Sequence, residues 1–185
     1  VTEWVALLRG VNVGGITIRS AELRDVLSGL GLAEVRTVLA SGNAAFASER
    51  SRDDLKPAIE AALGDRFGYD AWIVLVARAE IEAAIASFPF DATDDTRQPW
   101  VVFCVDSVTR NELTVAAASL DSAIDPVSAG PGVVYWNPPK GSSTDTPFAK
   151  LLAKTTYKTR TTNRNLRTLQ KIVASRGSVQ DPSAS

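Results

Sequence analysis

Residues 34–48 read EVRTVLASGNAAFAS. Two strand-type runs flank Ser41, Gly42 and Asn43, and a turn suits Gly42 and Asn43 because both tolerate positive φ. What lies on either side of this hairpin decides the fold. Before it, SAELRDVLSGLG (20–31) reads as a helix capped by Ser20, with Leu23, Val26, Leu27 and Leu30 on one face and Gly31 as its stop. After it, SRDDLKPAIEAALGDRFG (51–68) opens with a Ser51/Asp54 capping box and buries Leu55, Ile59, Leu63 and Phe67, with Pro57 in its second turn. The strands EWVALLRGV (3–11) and AWIVLVAR (71–78) stand outside the two helices. The resulting order, β-α-β-β-α-β, is that of a ferredoxin-like split βαβ unit.

The remainder repeats the theme less tidily. AEIEAAIASF (79–88) is helical and DATDDTRQP (91–99) is an acidic loop. WVVFCVD (100–106) is a strand, and TRNELTVAAASL (109–120) a helix boxed by Thr109 and Glu112. VVYWNPPKG (133–141) is a strand, TPFAKLLAKTT (146–156) a short helix with Pro147 near its first position, and NRNLRTLQKIVASRG (163–177) a long basic helix. The fold class is therefore α+β with two lobes: a ferredoxin-like lobe over 1–78, a related α+β lobe over 79–178, and a disordered tail over 179–185. WVALL, WIVLV and WVVFCV are apolar at both parities, which predicts strands covered on both faces and two lobes packed around a cleft. Trp4, Trp72, Trp100 and Trp136 each fall on an expected strand and read as core.

Composition narrows the chemistry. The 185 residues include one cysteine, Cys104, and no histidine. No intrachain disulfide, histidine-based triad or dyad, or His-rich zinc site is available, so neither a metal nor a cofactor is implied. Cys104 lies in an apolar strand and reads as a small hydrophobe. No apolar run has the length of a membrane span and no secretory signal is visible, so the expected setting is the reducing cytoplasm. The net charge of −1 is uneven: residues 1–138 hold 11 Lys+Arg against 19 Asp+Glu, and residues 139–185 hold 9 against 2. A basic C-terminal part either seeks an anionic partner or docks on the acidic remainder.

Three segments carry functional potential. In RGVNVGG (9–15), glycines let the backbone approach a ligand and Arg9 adds a cationic fork, but the spacing fits neither a Walker loop nor a dinucleotide fingerprint. Ser41-Gly42-Asn43 is either a plain turn or a neighbour of that loop. In RTTNRNLRTLQKI (160–172), Thr162 or Asn163 can cap a helix whose amides face a phosphate, with Arg164, Arg167 and Lys171 as a basic stripe. Lys150, Lys154, Lys158 and Arg160 extend that surface, with Tyr157 as its one aromatic. Asp91, Asp94 and Asp95 lack the glycine and closing glutamate of a calcium loop and read as solvated.

Taken together, LLRGVNVGG, VLASGNAAF and TTNRNLRT resemble a bacterial family catalogued as domain of unknown function 1697, whose usual forms look like LLRGINVGG, a tyrosine-containing stretch ending QSGNVVF, and TTRNW followed by threonine. The resemblance spans nearly the whole chain and implies a two-lobed α+β fold with ferredoxin-like character; it brings no activity with it. The matching positions are Arg9, Gly10, Asn12, Gly14 and Gly15, then Ser41, Gly42 and Asn43, then Arg164, Asn165 and Thr168. Departures are ITIRS after the glycines, Leu39 and Ala40 before the SGN turn, and Leu166 in place of the tryptophan. The expected function is a binding protein for a phosphate-bearing ligand, a nucleotide or nucleic acid, at a site between the lobes. An enzyme on a phosphorylated or nucleotidyl substrate is the alternative, short of a general base unless Asp91, Asp106 or Asp125 approaches Arg164. The third reading makes the motifs structural ties.

Overall fold

The computed structural model describes residues 1–11, 15–39 and 42–175. The tail expected from residue 179 lies outside them. The fold is α+β and divides into two units: Val1–Ala79 together with the chain from Gln170 onward, and Glu80–Leu169.

In the first unit the elements run β1 (Thr2–Leu8), α1 (Ser20–Gly29), β2 (Ala33–Thr37), β3 (Asn43–Ser48), α2 (Arg52–Phe67) and β4 (Ile73–Ala77). The sheet order is β2-β3-β1-β4, antiparallel throughout, which is the split βαβ arrangement. Trp4, Ala6 and Leu8 of β1, Phe46 of β3 and Leu75 of β4 share one face with Leu23 and Leu27 of α1 and Leu55, Ile59 and Leu63 of α2. Val5, Leu7, Val74 and Val76 point the other way and are also buried, so both sheet faces are covered. Ser51 caps α2 by accepting from the Asp54 amide at 3.2 Å, and α2 runs unbroken past the exposed Pro57. At α1 the capping differs from the sequence reading: Ser20 is already helical, Arg19 holds the cap position, and its amide donates to Glu22 Oε2 at 3.4 Å.

The second unit holds α3 (Arg78–Ala86, whose first two residues belong to the first unit), β5 (Trp100–Cys104), α4 (Ser107–Ala117), β6 (Val127–Gly130), β7 (Val133–Trp136), α5 (Pro147–Leu152), α6 (Thr155–Lys158) and β8 (Thr161–Asn165). Its sheet order, β6-β7-β5-β8, repeats that of the first unit. Val102, Val134 and Trp136 pack with Leu113 of α4 and Phe148 and Leu152 of α5. On the opposite face the Tyr135 hydroxyl donates to Ala84 O of α3 at 2.7 Å, and Phe88 meets the Tyr135 ring edge-on. Two elements escaped the sequence reading. β6 pairs with β7 through Pro131 and Gly132, the latter at φ +71°. β8 covers TTNRN, of which Asn163, Arg164 and Asn165 read as helical in sequence. The α4 cap is Asp106, which accepts from Thr109 N at 2.8 Å, whereas Glu112 pairs with Arg160.

α7 (Leu166–Ala174) starts in the second unit and ends in the first. There Arg78 donates to Val173 O at 2.5 Å, and Arg36 donates to Ser175 O at 3.1 Å. Glu3 of β1 pairs with both arginines, 3.2 Å from Arg78. Two guanidinium groups thus cap the carbonyl end of a helix, where the helix dipole favours cations. Burial alone would raise the Glu3 pKa, but the Arg36 hydrogen bond and the charges of Arg36 and Arg78 outweigh it and hold the carboxyl below its usual range.

Candidate functional site

The register of β1 on β4 sets Leu8 opposite Ile73, so the residues just beyond, Arg9 and Trp72, meet at the sheet end. The Arg9 guanidinium lies over the indole, 6.0 Å from the ring centroid, near the outer reach of a cation–π contact. Both side chains are half-buried. Burial pushes the Arg9 pKa down from the ordinary guanidinium value, though a guanidinium stays charged. Among the described residues Arg9 has no hydrogen bond or ion pair. Trp72 precedes β4 instead of lying on it, and it and Trp100 are only partly buried, whereas Trp4 and Trp136 are core.

Beyond Arg9 the backbone turns at Gly10, φ +68°, and Val11 bridges to Ile16 just past the exposed Gly15. Gly42 lies against the start of this loop. Leu8 N donates to Gly42 O at 2.9 Å. Gly42 has φ +76°, and a Cβ there would stand 2.8 Å from Val11 Cγ2 and 3.0 Å from Leu8 Cβ, so both φ and space require glycine. Asn43 is the first residue of β3, not a turn residue; its buried amide donates to Val38 O at 3.0 Å. The left-handed conformation expected of Asn43 belongs to Leu39, φ +59°, whose side chain is 46% exposed. The first two motifs therefore adjoin within the first unit. Asn12, Gly14 and Ser41 lie outside the described residues.

The third motif corrects the sequence reading. Arg164 is not on a helix: it sits on β8 opposite Val101, 7% exposed, and its Nη1 donates to Thr162 Oγ1 at 2.7 Å and Asn163 O at 2.8 Å. The helix start expected at Thr162 or Asn163 falls at Leu166, and Asn165 Oδ1 accepts from Arg167 N at 2.9 Å. Thr168 is half-buried in the first turn of α7, and Leu166 is core. The basic stripe dissolves accordingly, because only Arg167 and Lys171 are exposed helical positions. The physical reason is pairing: β5 offers a ladder edge to five residues whose polar side chains leave local propensity undecided. Lys150, Lys154 and Lys158 are exposed, Arg160 pairs with Glu112 at 3.0 Å, and Tyr157 packs on the second core.

The carboxylates considered as bases serve local structure. Asp91 Oδ1 accepts from Thr93 and Asp94 Oδ1 from Thr96, each through hydroxyl and amide, and these bonds lower both pKa values. Asp106 caps α4 and is likewise lowered by the Thr109 amide and hydroxyl. Asp125 was missed as a structural residue: it is 3% exposed and accepts from Trp136 Nε1 at 2.9 Å and Phe148 N at 3.0 Å. Burial pushes the Cys104 thiol up to about 12, leaving it un-ionised at neutral pH.

The family model described as "Protein of unknown function (DUF1697)" matches residues 1–135. Among solved structures, the conserved bacterial protein SP0830 from Streptococcus pneumoniae is similar, with a TM-score of 0.79 and 26% identity over 94% of this chain and 97% of that one. No curated protein matches. No helix among the described residues is long and apolar enough to cross a membrane.

Proposed function

The chain belongs to the DUF1697 family of proteins of unknown function, and from that premise we propose that it binds a phosphate-bearing ligand at the Arg9 end of the first sheet, in the cytoplasm. One observation carries the reading. Arg9 is a half-buried cation whose neighbour is an indole and which has no anion or hydrogen-bond acceptor among the described residues. Taking a charge out of water without a partner is costly, and an incoming anion would offset that cost. Gly10, at φ +68° with nothing within 4 Å of where a Cβ would stand, leaves the backbone beside Arg9 open to close approach. Calorimetric titration with inorganic phosphate and nucleoside phosphates tests it. Wild type should bind saturably, and Arg9→Ala should lose binding while keeping its melting temperature within a few degrees. Equal binding by the variant would refute the assignment.

A structural role fits the other motifs better. Asn43 bonds Val38 across the hairpin, Asn165 caps α7, and Arg164 bonds Thr162 and Asn163 while buried. Arg164→Ala should therefore lower stability by about 1–3 kcal/mol, the range for stranding buried polar groups. Phosphate affinity should stay unchanged in that variant. An enzymatic reading has less support, because Asp91, Asp106 and Asp125 spend their oxygens on local donors.

A further inference from the structure

We propose that α5 and α6 of the second unit form a docking surface for the phosphate backbone of a nucleic-acid duplex, held by Lys150, Lys154 and Lys158 without sequence preference; this goes beyond the Arg9 site and does not rest on it.

The three lysines are set one helical turn apart. Lys154 N donates to Leu151 O at 3.1 Å, closing the last turn of α5, and Lys158 N donates to Lys154 O at 2.8 Å across α6. Side chains four residues apart on such turns are neighbours, and like charges there repel. All three are exposed, and residues 146–161 hold no Asp or Glu to offset them. The one arginine in that stretch, Arg160, pairs with Glu112 at 3.0 Å and lies 3.9 Å from Asp106. Among the described residues none of the three lysines has an ion pair. Helix ends favour cations at Lys150 and Lys158, which fall in the last turns of α5 and α6, but that leaves Lys154 unexplained.

The scaffold beneath them is anchored. Phe148, Ala149 and Leu152 are buried in the second core, and Tyr157 packs against it. Thr146 Oγ1 accepts from Ala149 N at 3.2 Å, and Asp125 accepts from Phe148 N at 3.0 Å. This inward packing leaves the lysines outside together with Thr155, Thr156 and Thr159.

The composition of that surface selects the partner. Protein interfaces centre on aromatic or aliphatic anchors, and helices that lie on membranes insert large apolar side chains. None of the large hydrophobics exposed among the described residues lies on α5 or α6. A phosphate backbone asks only for cations and hydroxyl donors. Because Tyr157 packs on the core, the surface offers no aromatic for stacking, which favours a duplex over a single strand and the backbone over the bases. Two turns of 5.4 Å span about 11 Å, enough to face about three phosphates of a strand that carries one per 3.4 Å.

The test follows a labelled DNA duplex of about 20 bp by fluorescence anisotropy, titrated with the full chain at about 50 and 200 mM salt. Wild type should bind saturably and weaken about 40-fold across that range, from three phosphate contacts at a salt slope of about −0.9 each. The triple variant Lys150→Gln/Lys154→Gln/Lys158→Gln should bind about 10-fold or more weakly at the lower salt and lose most of the salt dependence. The triple variant Arg24→Gln/Lys140→Gln/Lys171→Gln removes the same charge outside α5 and α6 and should keep both. All six residues are exposed, so neither variant disturbs a core. No saturable binding at the lower salt, an equal loss in both variants, or a salt slope unchanged in the first overturns the proposal. Poly-glutamate or phosphatidylserine vesicles that capture wild type as tightly as the duplex also overturn it, by pointing to an acidic protein or a membrane instead.

Discussion

Glu3→Gln is the substitution whose effect is most fully determined by the structure. The carboxylate of Glu3 accepts from Arg36 and from Arg78, and the same two guanidinium groups hold Val173 O and Ser175 O at the end of α7. Glutamine keeps the shape but removes the charge, leaving two adjacent cations without their counterion. Hydrogen bonds to charged groups contribute about 1.5–3 kcal/mol each. The Glu3 side chain is 31% exposed and its arginines 15% and 19%, so solvent screens only part of this. A net loss of about 2–3 kcal/mol at pH 7 is expected, or about 5–10 °C in Tm for a chain of this size. The pH dependence follows from the depressed pKa. Glu3 is held below its ordinary value of 4.5, so its contribution is fully present above pH 4.5 and is lost as pH falls through the lower folded value. Urea unfolding of both proteins across the acid range should therefore give curves that lie apart at pH 7 and converge as the pH falls below 4.5 through the lower folded value. Equal stability at pH 7, or a gap that persists undiminished in acid, would refute the argument.

Three other outcomes follow from single contacts. Asp125→Ala strands the Trp136 indole N–H and the Phe148 amide in the second core, and urea titration should show a loss of about 3–5 kcal/mol; a loss under 1 kcal/mol would mean that water replaces the carboxylate. Gly42→Ala forces a Cβ into Val11 and Leu8 at positive φ and should cost about 1–3 kcal/mol by the same measurement, with an unchanged midpoint counting against the crowding. Cys104, with its thiol at about 12, should resist iodoacetamide at pH 8 in the native protein and react once unfolded; mass spectrometry reads the adduct, and native labelling would show the thiol to be ionised or open.

The first unit was legible because its punctuation is local. Gly31 and Ser51 mark helix ends within a few residues of the periodic stripes they bound, and the glycine at 42 separates two strand-type runs. β8 was not legible, because Thr161–Asn165 is uniformly polar and the Leu166, Leu169 and Ile172 periodicity invites extending the helix backward. Only pairing with β5 makes it a strand. β6 is four residues of small side chains, yet the Pro131-Gly132 turn behind it was a usable signal. In the candidate site, Arg9 and Gly10 were visible as chemistry, while Trp72 was not. Its place over Arg9 depends on the strand order that sets β4 beside β1.

The helix end clamped by Arg36 and Arg78 also bears on the order in which the chain is made. Arg78 and its acceptor on Val173 are 95 residues apart, and Arg36 lies 139 from Ser175. A ribosome delivers β1 to β4 first, but the arginines then wait for α7 while the whole of Glu80–Leu169 is synthesised. The later-made unit is thus the first to have all its parts, and the earlier one is completed only when the chain from Gln170 follows. During that interval Arg36 and Arg78 lack the helix end they clamp, which makes the nascent chain at this length the form most in need of a chaperone.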